Sequence, residues 1–348
     1  MSHAEREIRS QADTWDATLA GVPAQWARIA PAVPIAADTH ILIVGCGTSY
    51  YLAQTAAHIF QEATGRVARA VPGSEVFLSP GSTVPRAGLV VAFIVSRSGT
   101  TSEAVMAARH LATMSPRVVT VAVTCTPDSA LARATDHAIE LEHAAERSVV
   151  MTRSFTNLLL AMQVVAATVA DDRSLLGELA GLPGVLRSGF DGMAAFGTEL
   201  GRRGDLRRII YLGLGPNYGL AEEATLKLKE MTQVECEPYN PLEFRHGAIS
   251  TVIAGTAVVL LAGERERDYV ADLEAELGRF GAYVATIAPY PSDHADASVL
   301  LPPGVSDLAR GPLYLPAVQL LAHERALLLG LDPDAPRNLG AVVVLGGR

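Results

Sequence analysis

In the stretch "LAEEATLKLKE", Glu223, Lys227 and Glu230 are four and three residues apart, which on a helix puts an ammonium between two carboxylates on one face. A lysine so placed keeps its neighbours ionised and aimed, as a general base requires. Lys227 and Lys229 are also the only lysines in 348 residues; every other basic residue is arginine. Arginine presents a wide planar fork, whereas lysine offers a compact ammonium that burial can tune. A chain that avoids lysine yet keeps it here points to a position that needs that compact charge. The plainer alternative is a solvated row of ion pairs worth a few tenths of a kcal/mol each. On that reading Leu220, Ala224, Leu228 and Met231 face the core and the charged residues face water.

A second group of residues could hold an anion. Thr48 and Ser49 follow the apolar run "ILIVGCG", and Ser96, Ser98, Gly99, Thr100 and Thr101 join "LVVAFIV" to the helical pattern "SEAVMAARHLATM". Hydroxyl donors and a glycine ahead of a helix N-terminus make a phosphate site. Thr152, before "SFTNLLLAMQ", has the same setting, and Cys46 and Gly47 lie in the glycine-rich turn where a ligand could touch them. Thr100 with Glu103 also fits a capping box, so these hydroxyls could instead serve only the helix. No Walker lysine follows, and "GCGTSY" lacks the third glycine of a dinucleotide fingerprint. A phosphate monoester is therefore expected rather than NAD or ATP, with no cofactor and no metal.

The elements that must position these residues are repeated. "ILIVGCGTSYYLAQTA" aligns with "IIYLGLGPNYGLAEEA", pairing Gly45 with Gly213, Gly47 with Gly215 and Tyr50 with Tyr218. The register continues from "GLVVAFIVSRSG" to "TAVVLLAGERE", and then to the runs that begin at 118 and 283. Short apolar strands alternating with helices predict two doubly wound α/β subdomains with parallel sheets. The expected divisions are a helical N-terminal arm over 1–34, subdomains over 35–190 and 191–330, and a tail over 331–348. Ligands of such sheets bind beyond the carboxyl ends of the strands. There the halves differ, because "GERERD" stands in the second where "SRSGTT" stands in the first.

Composition narrows the classes. A net charge of −9 with no basic stripe argues against a nucleic-acid partner. The longest apolar run, "LLLAMQVVAATVA", is too short to cross a bilayer and is interrupted by Gln163. With no signal-peptide core at the start, a cytoplasmic protein without membrane association is expected. Cys46, Cys125 and Cys236 are scattered and lack ligand spacing, so they read as reduced packing residues.

Taken in order, "GCGTSYY", "VSRSGTTSE", "VVMTRSFTN", "LAEEATLKLKEMTQVECEPYNPLEFRHG" and "DAPRNLGAVVV" resemble the sugar isomerase (SIS) family. The likeness is to the isomerase half of glucosamine-6-phosphate synthases and to stand-alone amino-sugar-phosphate deaminases and isomerases. It covers nearly the whole chain. It implies a sugar-phosphate substrate gripped by Thr48, Ser49, Ser96, Ser98, Thr101 and Thr152, with Cys46, Gly47, Arg97, Glu223 and Arg337 beside it. It also implies Glu230 as the proton-moving carboxylate, Lys227 as the lysine beside it, and His246 as a ring-opening group given by the other subunit of a homodimer with shared sites. Arg97 stands where the family often has glutamine, and Ala341 where the synthases usually have a lysine. The sequence shows no glutaminase domain, so the expected reaction is deamination and isomerisation of an amino-sugar 6-phosphate, glucosamine 6-phosphate first. The alternatives are plain sugar-phosphate isomerisation, deglycation of a fructosamine phosphate, and a non-catalytic phosphosugar-binding module.

Overall fold

The computed structural model describes residues 1–114 and 118–345. They contain two wholly parallel five-stranded sheets of identical topology. The first comprises β1 (His40–Gly45), β2 (Ala68–Pro72), β3 (Val90–Ser96), β4 (Val118–Thr124) and β5 (His137–Glu140), in the order β2-β1-β3-β4-β5. The second comprises β6 (Arg208–Gly213), β7 (Cys236–Tyr239), β8 (Thr256–Leu261), β9 (Tyr283–Ala288) and β10 (Ala297–Leu300), in the order β10-β9-β8-β6-β7. The duplicated α/β architecture read from the repeat is thus present in both halves. Every residue of β3 and β8 is buried, as expected of central strands covered on both faces. Among the described residues no helix is long and apolar enough to cross a membrane.

The edge strands β2 and β7 have no counterpart in the sequence reading. Their sequences, "ARAVP" and "CEPY", are mostly half-exposed and contain proline, so they lack the apolar run that marks the central strands.

The described chain forms two compact units. One contains Ser10–Arg147, Met151–Pro183 and the tail from Gly340, and so holds the first sheet. The other contains Met1–Arg9, Ser148–Val150 and Gly184–Leu339, and holds the second sheet.

In each half the turn after the first strand depends on two glycines. Gly47 has φ 55° and ψ −126°, and Gly215 has φ 56° and ψ −122°, a conformation closed to residues with a side chain. Gly45 and Gly213 lie so close to the helix that follows that a Cβ would collide with the Ser49 and Asn217 carbonyls. This repeated turn brings each helix to the carboxyl end of its sheet. Gly45→Ala and Gly213→Ala are each expected to cost about 2 to 3 kcal/mol, because the obstacle is backbone. Urea unfolding checks this, and a midpoint equal to the parent's would mean that the turns yield.

Candidate active site

The helix Pro216–Thr232 carries the acidic residues and the two lysines. Leu220, Ala224, Leu228 and Met231 are buried, as their spacing requires, but so are Glu223 and Lys227. The solvated row of ion pairs is therefore not what forms. The Lys227 ammonium has no exposed surface; its Nζ lies 3.4 Å from Glu223 Oε1 and donates a hydrogen bond to Glu230 Oε2. Lys229 is exposed. Of the three buried-face charges only Glu230 reaches the surface, with 16% of its side chain accessible. An ammonium removed from water must be paired, and here it is paired to a carboxylate that can meet a ligand.

His246 and Arg337 belong to the same unit and are exposed. A short helix, Pro241–Phe244, leads to His246; the Asn240 side chain caps it by accepting from the Leu242 and Glu243 N–H groups. The His246 N–H donates to the Glu243 carbonyl at 2.9 Å. Among the described residues neither His246 nor Arg337 makes a side-chain hydrogen bond or ion pair with Glu230 or Lys227.

In the other unit, the order β2-β1-β3 makes a topological switch between β1 and β3, where ligands of open α/β sheets bind. The turn Cys46–Ser49 and the loop Ser96–Thr101 follow those two strands. Thr48 and Ser49 start the helix Thr48–Thr64 and are buried. Ser96 Oγ accepts from the Gly99 N–H and Ser98 Oγ from the Thr100 N–H, both at 3.2 Å. Each serine accepts internally and keeps its own proton, which suits a hydroxyl that must donate to an anion. Gly99 has φ 60°, and a Cβ there would overlap Ser129. The loop is further held by the Leu131 N–H on the Gly99 carbonyl and the Cys125 N–H on the Arg97 carbonyl.

The capping box read from Thr100 and Glu103 does not form. The helix Ser102–Ala112 begins one residue later, with Thr101 as its cap, and no side chain caps it. Glu103 Oε2 is buried without a hydrogen bond instead of reaching back to the loop. The Ser102 N–H donates to the Val343 carbonyl of the tail at 3.3 Å.

Thr152 differs from these hydroxyls. It has no exposed surface, and its Oγ donates to Glu146 at 2.8 Å. Glu146 also pairs with Arg97, Nη1 to Oε2 3.6 Å, and Arg97 Nη2 donates to the Ala341 carbonyl at 3.0 Å. Sequence reasoning missed Glu146, because nothing in "AAERSVVMTRS" marks one carboxylate as buried. Burial, with Glu103 adding, pushes the Cys46 thiol up to about 11, so it stands beside the turn as a neutral packing group.

The equivalent loop of the second half is occupied by the chain itself. The Gly263 N–H donates to Glu266 at 2.7 Å and the Glu264 N–H to Asp307 at 3.4 Å, while Asp307 pairs with the buried Arg310. A Cβ on Gly263 would stand 2.9 Å from Asp307. Burial, with Asp307 as a lesser cause, raises the Glu266 carboxyl. Two carboxylates stand at the backbone donors that an incoming anion would use.

Comparison with known proteins agrees with this architecture. The SIS domain model matches residues 35–168 and 205–297. The chain is 27% identical to the glutamine–fructose-6-phosphate aminotransferase (isomerizing) of Vibrio cholerae over 88% of its length, and 30% identical to that of Pyrobaculum aerophilum over 98%. It spans only 52% and 57% of those relatives. Tagatose-6-phosphate ketose/aldose isomerase from Escherichia coli superposes with a TM-score of 0.84 at 26% identity, covering 99% of this chain and 96% of that one. Glucosamine-6-phosphate deaminase from Thermotoga maritima shares the fold, with a TM-score of 0.80 at 24% identity and coverage of 99% and 100%. With two matched segments, one on each parallel sheet, the chain belongs to the SIS domain family.

Proposed function

We propose that this chain is a phosphosugar aldose–ketose isomerase of the SIS family whose substrate is an amino-sugar 6-phosphate, glucosamine 6-phosphate first, and that the imine formed by the proton shift is hydrolysed by one water to the ketose phosphate and ammonia. The observation that carries the reading is the Lys227 ammonium buried between Glu223 and Glu230. Isomerisation moves a proton between adjacent carbons through an enediolate or enolamine, and one carboxylate can do this on one face. Glu230 is the carboxylate with an accessible edge, and Lys227 holds it in place through a hydrogen bond. The Ser96, Ser98 and Thr101 hydroxyls and the turn Gly47–Ser49 hold the phosphate. His246 opens the sugar ring, and its exposure supports delivery to the site of a second copy of the chain. The names of the relatives, which concern fructose 6-phosphate, tagatose 6-phosphate and glucosamine 6-phosphate, favour this substrate class. A panel of sugar 6-phosphates assayed for ammonia and for ketose tests the reading. Ketose without ammonia would leave a plain isomerase, and binding without either product a sensor.

Glu230→Gln keeps the shape and removes the base. Exchange of the sugar C–H with deuterated water is expected to stop while binding of the phosphate ester persists; exchange at the parental rate would remove Glu230 from the mechanism.

Lys227→Met leaves Glu223 and Glu230 without their shared cation and is expected to destabilise the fold by about 3 to 5 kcal/mol. Lys227→Arg should lose turnover far more than Lys229→Arg, since only the former replaces a buried ammonium with a wider fork. Equal small losses in thermal melts and steady-state rates would return both lysines to the surface row.

Glu230→Gln and His246→Asn chains are each expected to be nearly inactive alone. Co-expressed in equal amounts, random pairing gives about half heterodimers with one intact site each, hence roughly a quarter of the parental rate. A mixture no better than its parents, with heterodimers verified by mass spectrometry, would assign His246 to its own chain or to no catalytic role.

A further inference from the structure

Glu146 is a buried carboxylate on the loop ahead of the helix Arg153–Val169, and nothing in the sequence reading used it. Its side chain has no exposed surface. It accepts from the Thr152 N–H at 2.7 Å, the Thr152 hydroxyl at 2.8 Å, the Ser154 N–H at 3.2 Å and the Ser154 hydroxyl. The helix Arg153–Val169 therefore has its anion built in, and its dipole and first donors are already matched by the chain. Thr152, with its proton given to Glu146, cannot also donate that proton to a phosphate oxygen.

A carboxylate already satisfied by four charge-assisted hydrogen bonds does not depend on a further cation. The effect of the 3.6 Å ion pair falls on its other member, Arg97. Arginine is long and rich in rotamers, but this one is fixed at both ends. Its carbonyl accepts from the Cys125 N–H and the Thr124 and Thr126 hydroxyls, and its guanidinium lies between Glu146 and the Ala341 carbonyl. It sits in the chain between Ser96 and Ser98, the serines whose protons are available to an anion.

We propose that Glu146 is a positioning residue that fixes Arg97 as the cation of the hydroxyl loop, and that Arg97 so held sets the affinity for a dianionic phosphate ester. This rests on the phosphosugar reading of that loop. A mobile guanidinium would still attract phosphate but would have to be ordered on each binding event. A fixed one is ordered beforehand.

The test is a double-mutant cycle read by calorimetry with inorganic phosphate and fructose 6-phosphate, and by kcat and KM on whichever sugar phosphate is turned over. Glu146→Gln, close in shape but uncharged, should raise Kd and KM roughly tenfold and leave kcat within about twofold, because Glu230 is untouched. Arg97→Gln should raise Kd and KM by a similar factor. The double variant should be no weaker than Arg97→Gln alone, since Glu146 acts through Arg97. Additive losses, or a fall in kcat at unchanged KM, would overturn the proposal. If Glu146→Gln does not fold, Ser154→Ala removes one donor from Glu146 and is read the same way: a smaller rise in Kd supports the proposal, and an unchanged Kd overturns it. A parent that binds the phosphate ester but turns nothing over defeats the enzymatic reading alone, and the affinities still decide the role of Glu146. A parent that binds no phosphate ester defeats both.

Discussion

A lysine ammonium with no access to water is the constraint on which the second unit turns. Removing such a charge from solvent costs several kcal/mol unless fixed partners replace the water, and Lys227 finds them on its own helix, four residues back and three ahead. That local solution obliges two faces of the helix Pro216–Thr232 to be covered, the aliphatic one and the charged one. The helix Asp307–Leu328 packs against it and is itself buried along nearly its whole length. A solvated helix would have tolerated any polar residue at position 227. A buried one between two carboxylates tolerates only a compact cation, which accounts for Lys227 but not for the exposed Lys229.

The parts of the fold legible in the sequence were those set by periodicity and by backbone restriction. The central strands announce themselves because both of their faces are covered, and the repeat because Gly45, Gly47, Gly213 and Gly215 occupy positions that no other residue can fill. The edge strands β2 and β7 were not legible, since a half-exposed strand with a proline has no composition of its own. The charged face of the helix Pro216–Thr232 had the right spacing for either outcome. Spacing tells which side chains meet, whereas burial depends on what packs over them, and that is a property of residues some eighty positions further on. Glu146 escaped for the same reason: its donors are local, but only the folded loop decides that their proton acceptor is a carboxylate and not a ligand.

The duplication also shows two ways in which one scaffold satisfies the backbone after its third strand. Backbone donors after the third strand of each sheet must find acceptors. In the first half the Ser96 and Ser98 hydroxyls accept from the Gly99 and Thr100 N–H groups and keep their own protons. In the second half the carboxyl groups of Glu266 and Asp307 accept from Gly263 and Glu264, and Asp307 is in turn paired with the buried Arg310. The backbone is satisfied either way. The chemical result differs, because the first loop keeps O–H groups that could still donate, whereas in the second the corresponding backbone donors are already taken by carboxyl groups.

The same accounting separates the hydroxyls within the first unit. A hydroxyl has one proton, and the direction in which it is spent decides whether the group can bind an anion. Ser96 and Ser98 take a hydrogen bond from the backbone and keep that proton; Thr152 gives its proton to Glu146 and is enclosed. Residue type alone puts all three in one class, as does their common position ahead of a helix. The acceptor each one faces divides them, and it divides the helices too. The helix Arg153–Val169 carries its own carboxylate at its first turn, whereas the helix Ser102–Ala112 is capped by no side chain. Ser96 and Ser98 thus retain their protons, whereas Thr152 is tied to Glu146 and, through that carboxylate, to the Arg97 guanidinium.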